Sequence, residues 1–301
     1  MSGNTFKQNA WDRGELGRQW LKRIPEIVGE MEEKWNIKAG EPFDLSYNYV
    51  VPVEFENGEK AVLKIGLPDD EEFLTEAKAL KIYDGDGIVR LYDFDVENMA
   101  MLIERVEPGQ PLSELVDDIQ ATKILAGVIK RLDRSFSDDV DFPHVSNWMK
   151  GFKGYRERCY GSNGPLPLDL IERAEILSDH LIISMKKEFL VHGDLHHDNV
   201  LKGVGGQWIA IDPKGIIAET EYECAVMLRN PQSRIIQSKN LTELLKTRII
   251  ILSEELDVDP RRILDWGIVQ TMLSAIWIEE DHGMGWDKEI MISRHLAEIE
   301  L

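Results

Sequence analysis

The sequence predicts an α+β chain in two lobes, a small antiparallel β-sheet lobe carrying a helix and a larger, mainly helical lobe. Three observations predict it. Two β-rich runs, DLSYNYVVPVEFE and KAVLKIG, flank Asn57-Gly58, the strongest short signal for a hairpin. A connector, Glu107-Pro108-Gly109, then interrupts the chain. Beyond it the apolar residues recur at helical spacing, and a strand-like run returns only at QWIAIDP.

The elements follow in order. Leu16, Trp20, Ile24, Ile27, Val28, Met31 and Trp35 recur at the period of an amphipathic helix, which Pro25 should kink or restart. After the hairpin, DDEEFLTEAKALKIY is a charged amphipathic segment whose acidic start suits a helix N-terminus. IVRLYDFDV and MAMLIERV read as two further strands. In the second part, Pro167 opens a run with Leu170, Ile171, Ala174, Leu177, Leu181, Ile182 and Met185 on one stripe. Asp259-Pro260 reads as an N-cap followed by proline at the first helical position, opening a helix to about Trp277.

Composition narrows the class. A chain of 301 residues, 43% hydrophobic and 30% charged, buries a real core and is neither disordered nor fibrous. There is no apolar run of signal-peptide length near the start and none of the roughly 18 residues a membrane helix needs, so no membrane partner and a cytoplasmic location are expected. Cys159 and Cys224 are too few for a disulfide framework and read as packed thiols. Fifty-five acidic against 35 basic residues leave a net charge of −20, which repels nucleic acid and makes a cationic or polar small molecule a more natural partner than an acidic one.

The chemistry concentrates in LVHGDLHHDNVL, residues 190–201, where three histidines, two aspartates and an asparagine sit among aliphatic residues. A zinc site would need three or four converging ligands, and the remaining histidines, His144, His180, His282 and His295, stand in unrelated contexts. Phosphoryl transfer needs an aspartate to take the proton of the attacking hydroxyl and an oxygen ligand nearby for magnesium. Asp194 and Asn199 have the H-x-D-x-x-x-x-N spacing of a kinase catalytic loop, with His192 as its scaffold. A second metal-binding carboxylate belongs at the end of a following strand, where WIAIDPKG supplies Asp212. A strand lysine for the nucleotide phosphates and a helix glutamate to orient it are met by Lys64 in AVLKIG and Glu76 in FLTEAKAL. A lysine and a glutamate alone mean solvated charge; five residues in this order point to a kinase.

With these residues in place, the chain resembles the aminoglycoside phosphotransferase superfamily, which has the bilobal protein-kinase-like fold. VLKIG, LIERVEPG, VHGDLHHDNVL, AIDPKG and MLRNP are most similar to the streptomycin 6-phosphotransferase and hydroxyurea kinase branch. The resemblance implies Asp194 as catalytic base, Asn199 and Asp212 as Mg2+ ligands, and Lys64 with Glu76 at the phosphates of ATP, GTP being an open alternative. It implies that the backbone of Glu104 and Val106 binds the adenine edge. It also implies a nucleotide-binding lobe over residues 1–106, with a helical extension over 1–40, and a lobe over 107–301 bearing the catalytic loop and acceptor site. Antibiotic resistance is the expected role. A kinase for another small metabolite and a catalytically idle kinase-like binding protein are the alternatives, and the presence of all five residues favours an enzyme.

Three further expectations concern side chains around that site. Lys214 either offsets phosphate charge and holds Asp212 or makes a surface salt bridge. Ser46-Tyr47-Asn48 stand where protein kinases carry a glycine-rich loop, so Ser46 and Asn48 would donate side-chain bonds in place of a backbone cradle. Trp277, Glu279, Glu280 and Asp281 end a helix with acids beside an indole, a candidate wall for a cationic acceptor.

Overall fold

The structure, a computed structural model, describes residues 2–45, 47–134, 141–159 and 164–301; Ser46 lies outside them. The chain runs α1 (Ser2–Asp12), α2 (Gly14–Trp35), β1 (Ile37–Ala39), β2 (Tyr49–Phe55), β3 (Lys60–Ile65), α3 (Glu71–Tyr83), β4 (Leu91–Asp95) and β5 (Ala100–Glu104). It continues through β6 (Gln110–Pro111), α4 (Asp118–Leu132), α5 (Val145–Arg158), α6 (Leu168–Ser184), β7 (Phe189–Val191), β8 (Val200–Lys202), β9 (Trp208–Ala210) and β10 (Ile216–Ala218). The last helices are α7 (Thr220–Val226), α8 (Gln232–Gln237), α9 (Leu241–Leu256), α10 (Pro260–His282) and α11 (Asp287–Ala297). The described chain divides into two compact units, Met1–Gly109 with Lys202–Lys214, and Gln110–Leu201 with Gly215–Leu301.

The first unit is built on an antiparallel sheet of order β1-β2-β3-β5-β4. Its central hairpin turns where the sequence places it. Gly58 takes φ +84, Gly58 N–H donates to the Phe55 carbonyl at 2.9 Å, and Glu59 N–H donates to Asn57 Oδ1 at 2.9 Å. Register then follows, with Val50 opposite Lys64 and Lys64 opposite Met101. The alternation puts Val51, Val53, Leu63, Ile65 and Leu102 on the core against Trp20, Ile24, Ile27 and Met31 of α2. Each such fully buried side chain contributes about 1.5–3 kcal/mol.

Pro25 does not restart α2, which is one helix from Gly14 to Trp35. Pro25 lies on the exposed face, so the carbonyl it leaves unpaired meets water while the opposite face stays packed. Helix α3 begins as the acidic start predicts, with Asp70 as N-cap accepting the N–H groups of Glu72 and Phe73. The first unit also recruits β9, through Val89 N–H to the Ala210 carbonyl at 3.0 Å and Ala210 N–H to the Gly87 carbonyl at 2.9 Å. That fold-back brings Asp212 into the same unit as Lys64.

The second unit is helical around α10, whose buried face includes Trp266, Val269, Met272, Leu273 and Ile276. Asp259 caps α10 by accepting Arg261 N–H, and Pro260 is its first residue. The helix runs five residues beyond Trp277, to His282, because Gly283 with φ +68 supplies its left-handed stop. Strands that periodicity leaves out appear here. β7 and β10 pair antiparallel, with Val191 opposite Ile216, and each is three residues long, too short to show an alternating pattern. Among the described residues no helix is long and apolar enough to cross a membrane.

Candidate active site

The side chains named from sequence fall in two groups, one in each unit. In the first unit the pleat of β3 turns Lys64 inward, and Lys64 is 3% exposed. Its Nζ donates to both oxygens of Glu76, at 2.7 and 2.8 Å, and to Asp212 Oδ1 at 3.0 Å. Glu76 is delivered by α3, which also carries Phe73, whose ring centroid lies 6.0 Å from the ammonium. The glycine of VLKIG is required at this point: a Cβ on Gly66 would stand 2.6 Å from the Phe73 ring.

Burial opposes the Lys64 charge, but the Asp212 and Glu76 carboxylates outweigh it and hold the ammonium above its ordinary range. Burial raises Glu76 to about 7, Lys64 pulling it down and Asp212 adding to the rise. Asp212 differs from Glu76 in being half exposed, 49% at its side chain, and in holding a left-handed backbone with φ +59. A left-handed aspartate is uncommon but tolerated, and here it ends the strand-like run with its carboxylate turned to Lys64. Lys214 pairs with Glu72 at 2.5 Å, a largely exposed contact that matches the salt-bridge alternative.

In the second unit the loop after β7 is held from three sides. His192 is fully buried, and its Nδ1 accepts the Asp194 N–H at 3.2 Å. Gly193 takes φ +84, a conformation that favours glycine, and turns the chain so that Asp194 is 30% exposed. Asn199 Nδ2 donates to the Asp194 carbonyl at 3.0 Å, which fixes the amide and leaves its Oδ1 as the group to be offered. The three histidines do different work. His196 Nδ1 accepts Asp198 N–H at 3.2 Å, while His197 is fully buried, and burial together with the Arg248 charge drives it down to about 2, so it is neutral. Among the described residues no three His, Cys, Asp or Glu side chains form a metal-holding group.

Sequence reasoning missed two side chains that define this loop. Glu223 on α7 is buried, and its two oxygens accept the N–H groups of Gly193 at 2.8 Å and Leu195 at 3.1 Å, the residues on either side of Asp194. Burial raises Glu223 to about 8 against the pull of those bonds. Its only local signal is a carboxylate inside the apolar run YECAVML. Arg229, inside the quoted MLRNP phrase but given no role there, places Nη2 3.7 Å from Asp194 Oδ1. The turn carrying it is pinned by the fully buried Arg248, whose Nη1 donates to the Met227 carbonyl at 3.2 Å and the Asn230 carbonyl at 2.6 Å, and whose Nη2 meets Asp118 at 2.6 Å.

The remaining expectations are placed as follows. Glu104 closes β5, its N–H donating to the Arg90 carbonyl at 2.8 Å and its Oε2 accepting Arg90 N–H at 3.1 Å, with Val106 two residues on. Asn48 follows directly on Ser46-Tyr47, and its Oδ1 is buried with no hydrogen-bond partner. Glu279 and Glu280 are both paired with Arg158, at 3.2 and 2.5 Å, so the predicted acidic wall already holds a guanidinium of the chain itself. Trp277 packs edge-on against Trp148 with ring centroids 5.7 Å apart, and Asp281 is exposed.

A strand lysine clasped by a helix glutamate, together with a glycine-turned loop presenting aspartate and asparagine five positions apart, defines a phosphotransferase with a kinase-like fold. The comparisons with known proteins agree. Among solved structures, the choline kinase of Streptococcus pneumoniae superposes with a TM-score of 0.63 at 14% identity, covering 92% of this chain and all of that one. In sequence the chain is 30% identical over 283 residues to the hydroxyurea phosphotransferase of Kitasatospora aureofaciens, covering 89% of this chain and 77% of that protein. It is 27% identical over 283 residues to the streptomycin 6-kinase of Streptomyces griseus, covering 89% and 87%. The model of the aminoglycoside/hydroxyurea antibiotic resistance kinase family matches residues 34–282. The chain belongs to that family, and it is a small-molecule kinase with a hydroxyl group as acceptor.

Proposed function

We propose that this kinase moves the γ-phosphate of ATP, with Mg2+, to a hydroxyl of a streptomycin-like aminoglycoside or of hydroxyurea, and that antibiotic resistance is its role. The observation that carries the reading is the clasp of Lys64 by Glu76 and Asp212. It supports Lys64 as the cation for the nucleotide phosphates, with Glu76 setting its direction and the half-exposed Asp212 as the carboxylate offered to metal. The Asp212 carboxylate of the first unit and the Asn199 amide oxygen of the second are each the kind of hard oxygen donor magnesium prefers, so the chemistry of either suits that ion. When bound, the ion offsets the charge of the phosphates. Glu104 and Val106 supply the backbone for the adenine edge.

The proposed step is simple in its balance. The acceptor oxygen bonds to the γ-phosphorus as the bond from phosphorus to the nucleoside diphosphate breaks, and the hydroxyl proton passes to Asp194. With little covalent work to do, the chain acts through position and charge. Glu223 and His192 hold the loop so that the Asp194 carboxylate stands clear of it.

The test is nucleotide consumption by the purified chain with ATP or GTP against streptomycin, other aminoglycosides, hydroxyurea and simple amino alcohols. Magnesium-dependent consumption of ATP with streptomycin or hydroxyurea, with phosphate found on the acceptor, is expected. Consumption with amino alcohols alone, or with none of the panel, overturns the reading.

A further inference from the structure

Asp194 is supported twice, once through its backbone and once through its side chain. His192 Nδ1 accepts the Asp194 N–H, and Glu223 accepts those of Gly193 and Leu195 on either side. A fixed backbone still leaves a carboxylate free to turn about its own side-chain bonds, and a group that must meet a hydroxyl proton loses rate by that freedom. The two carboxylate oxygens face different neighbours. Arg229 Nη2 lies 3.7 Å from Oδ1, and His196 Nε2 lies 4.0 Å from Oδ2.

The fold gives Arg229 little room to drift. It sits in a short turn after α7, in which Met227 and Leu228 are 0% exposed. Asn230 N–H donates to the Met227 carbonyl at 3.1 Å, which closes the turn. Arg248 Nη1 holds the carbonyls of the same two residues, at 3.2 and 2.6 Å. On the far side α10 packs so closely that a Cβ on Gly267 would stand 2.9 Å from the Leu228 side chain.

The guanidinium at the end of this anchored turn is 18% exposed, and its Nε is buried with no hydrogen-bond partner. A buried donor left unpaired is rare in native folds and calls for a reason. The reason on the page is the far end of the same group, which the turn delivers to Asp194. At 3.7 Å the contact is too long for a hydrogen bond, so Arg229 acts on Oδ1 through its charge. A charge on one oxygen distinguishes the two: Oδ1 faces the guanidinium, and Oδ2 is turned away from it.

We infer that Arg229 is a positioning residue for phosphoryl transfer, holding Asp194 Oδ1 so that Oδ2 is the oxygen that receives the hydroxyl proton. The inference rests on the reading of Asp194 as the proton acceptor and deepens it, naming the oxygen that takes the proton and the side chain that selects it. Arg229 works through Asp194, and its loss should be felt in the rate of the step and not in the binding of either substrate.

The test is a double-variant cycle on the full chain, with kcat, acceptor KM and ATP affinity measured on streptomycin or hydroxyurea, whichever the wild type phosphorylates. Methionine keeps the aliphatic stem of Arg229 and removes its charge. Arg229→Met should lower kcat about 10- to 100-fold, with acceptor KM and ATP affinity within about 3-fold of the wild type. Arg229→Lys, which keeps the charge, should recover most of that loss. In an Asp194→Asn background Arg229→Met should cost less than about 3-fold more, because the group it positions is gone. An unchanged kcat in Arg229→Met, no recovery with lysine, or a full additional loss in the Asp194→Asn background overturns the inference alone. Wild-type turnover in Asp194→Asn removes the parent assignment and the inference with it. If neither acceptor is phosphorylated, the proposed acceptors fail, and the inference is decided by crystal structures of the wild type and Arg229→Met. The Asp194 carboxylate should hold one orientation in the first and several in the second, and the same single orientation in both overturns it. Should Arg229→Met fail to fold, Arg229→Gln takes its place with the same expected and contrary outcomes.

Discussion

Lys64 Nζ lies 3.0 Å from Asp212 Oδ1, although 148 positions separate the two residues, and the same ammonium donates to both oxygens of Glu76. One buried cation therefore serves a buried and a half-exposed carboxylate. Replacing Lys64 by methionine leaves Glu76 buried without its charge partner. We expect a loss of about 3–5 kcal/mol in urea unfolding and the loss of turnover. The double variant Lys64→Met/Glu76→Met should regain most of that stability and none of the activity. A single variant as stable as the wild type would show that the pair contributes no net stability.

The hold of Glu223 on the loop after β7 makes a second prediction. Glu223→Ala strands the N–H groups of Gly193 and Leu195 in the interior, each worth about 1–3 kcal/mol when unpaired. Amide hydrogen exchange at those two positions should accelerate, and kcat should fall while the affinity for ATP stays within about 3-fold. Unchanged exchange at Gly193 and Leu195 would remove Glu223 from the loop's support.

Replacing the proposed base gives a third. Asp194→Asn should lower turnover by about 10² to 10⁴, the usual contribution of a positioned general base, with nucleotide affinity retained. Wild-type turnover in this variant would eliminate Asp194 from proton transfer.

Stability should depend on pH at both ends of the range, with opposite signs. Burial pushes the Asp118 carboxyl up, but the Arg248 and Arg234 guanidiniums outweigh it and hold it at about 2, below its ordinary 3.8. A lowered carboxylate stabilises the fold above its unfolded value, so that contribution disappears as pH falls from about 4 toward 2. Glu223 is the reverse case. Raised to about 8, it favours the folded state below its ordinary 4.5, and this support is lost as pH rises through 8. Unfolding free energy followed from pH 5 to 9 should decline, and Glu223→Gln should make the slope shallower by up to about 1.4 kcal/mol per pH unit. An unchanged slope would mean that Glu223 is ionised throughout.

Arg248 allows a stability prediction away from the chemistry. It is fully buried and joins Asp118 on α4 to the carbonyls of Met227 and Asn230. Arg248→Met should cost about 3–5 kcal/mol and move the acid limb of the stability profile upward, since Asp118 keeps only Arg234. An acid limb at the same pH would assign the lowered Asp118 value to Arg234 alone.

Much of the candidate site was legible in the sequence because its parts are local. Asp194 and Asn199 sit in one loop whose spacing states their relation, and Lys64 and Glu76 each lie in an element whose period is plain. The Asn57-Gly58 turn, the cap at Asp70 and the Asp259-Pro260 start of α10 are short-range chemistry and were read for the same reason. Glu223 and Arg229 carry no local mark. A carboxylate within a helix reads as one more solvated charge until its partners, 28 and 30 positions away, fold against it. The acids at Glu279 and Glu280 show the converse, since they looked like open charge until Arg158, over a hundred positions earlier, supplied a partner.

By itself the sequence determined the fold class and the kinase class and named five candidate residues, because backbone periodicity, turns and motif spacing are written over short distances. Tertiary structure alone decided which charges are clasped, as Lys64 is by Glu76 and Asp212, and which loop residues Glu223 holds. The physical reason is that a charge acquires its environment from whatever the fold packs against it, and residues brought together from distant positions leave no periodic trace along the chain.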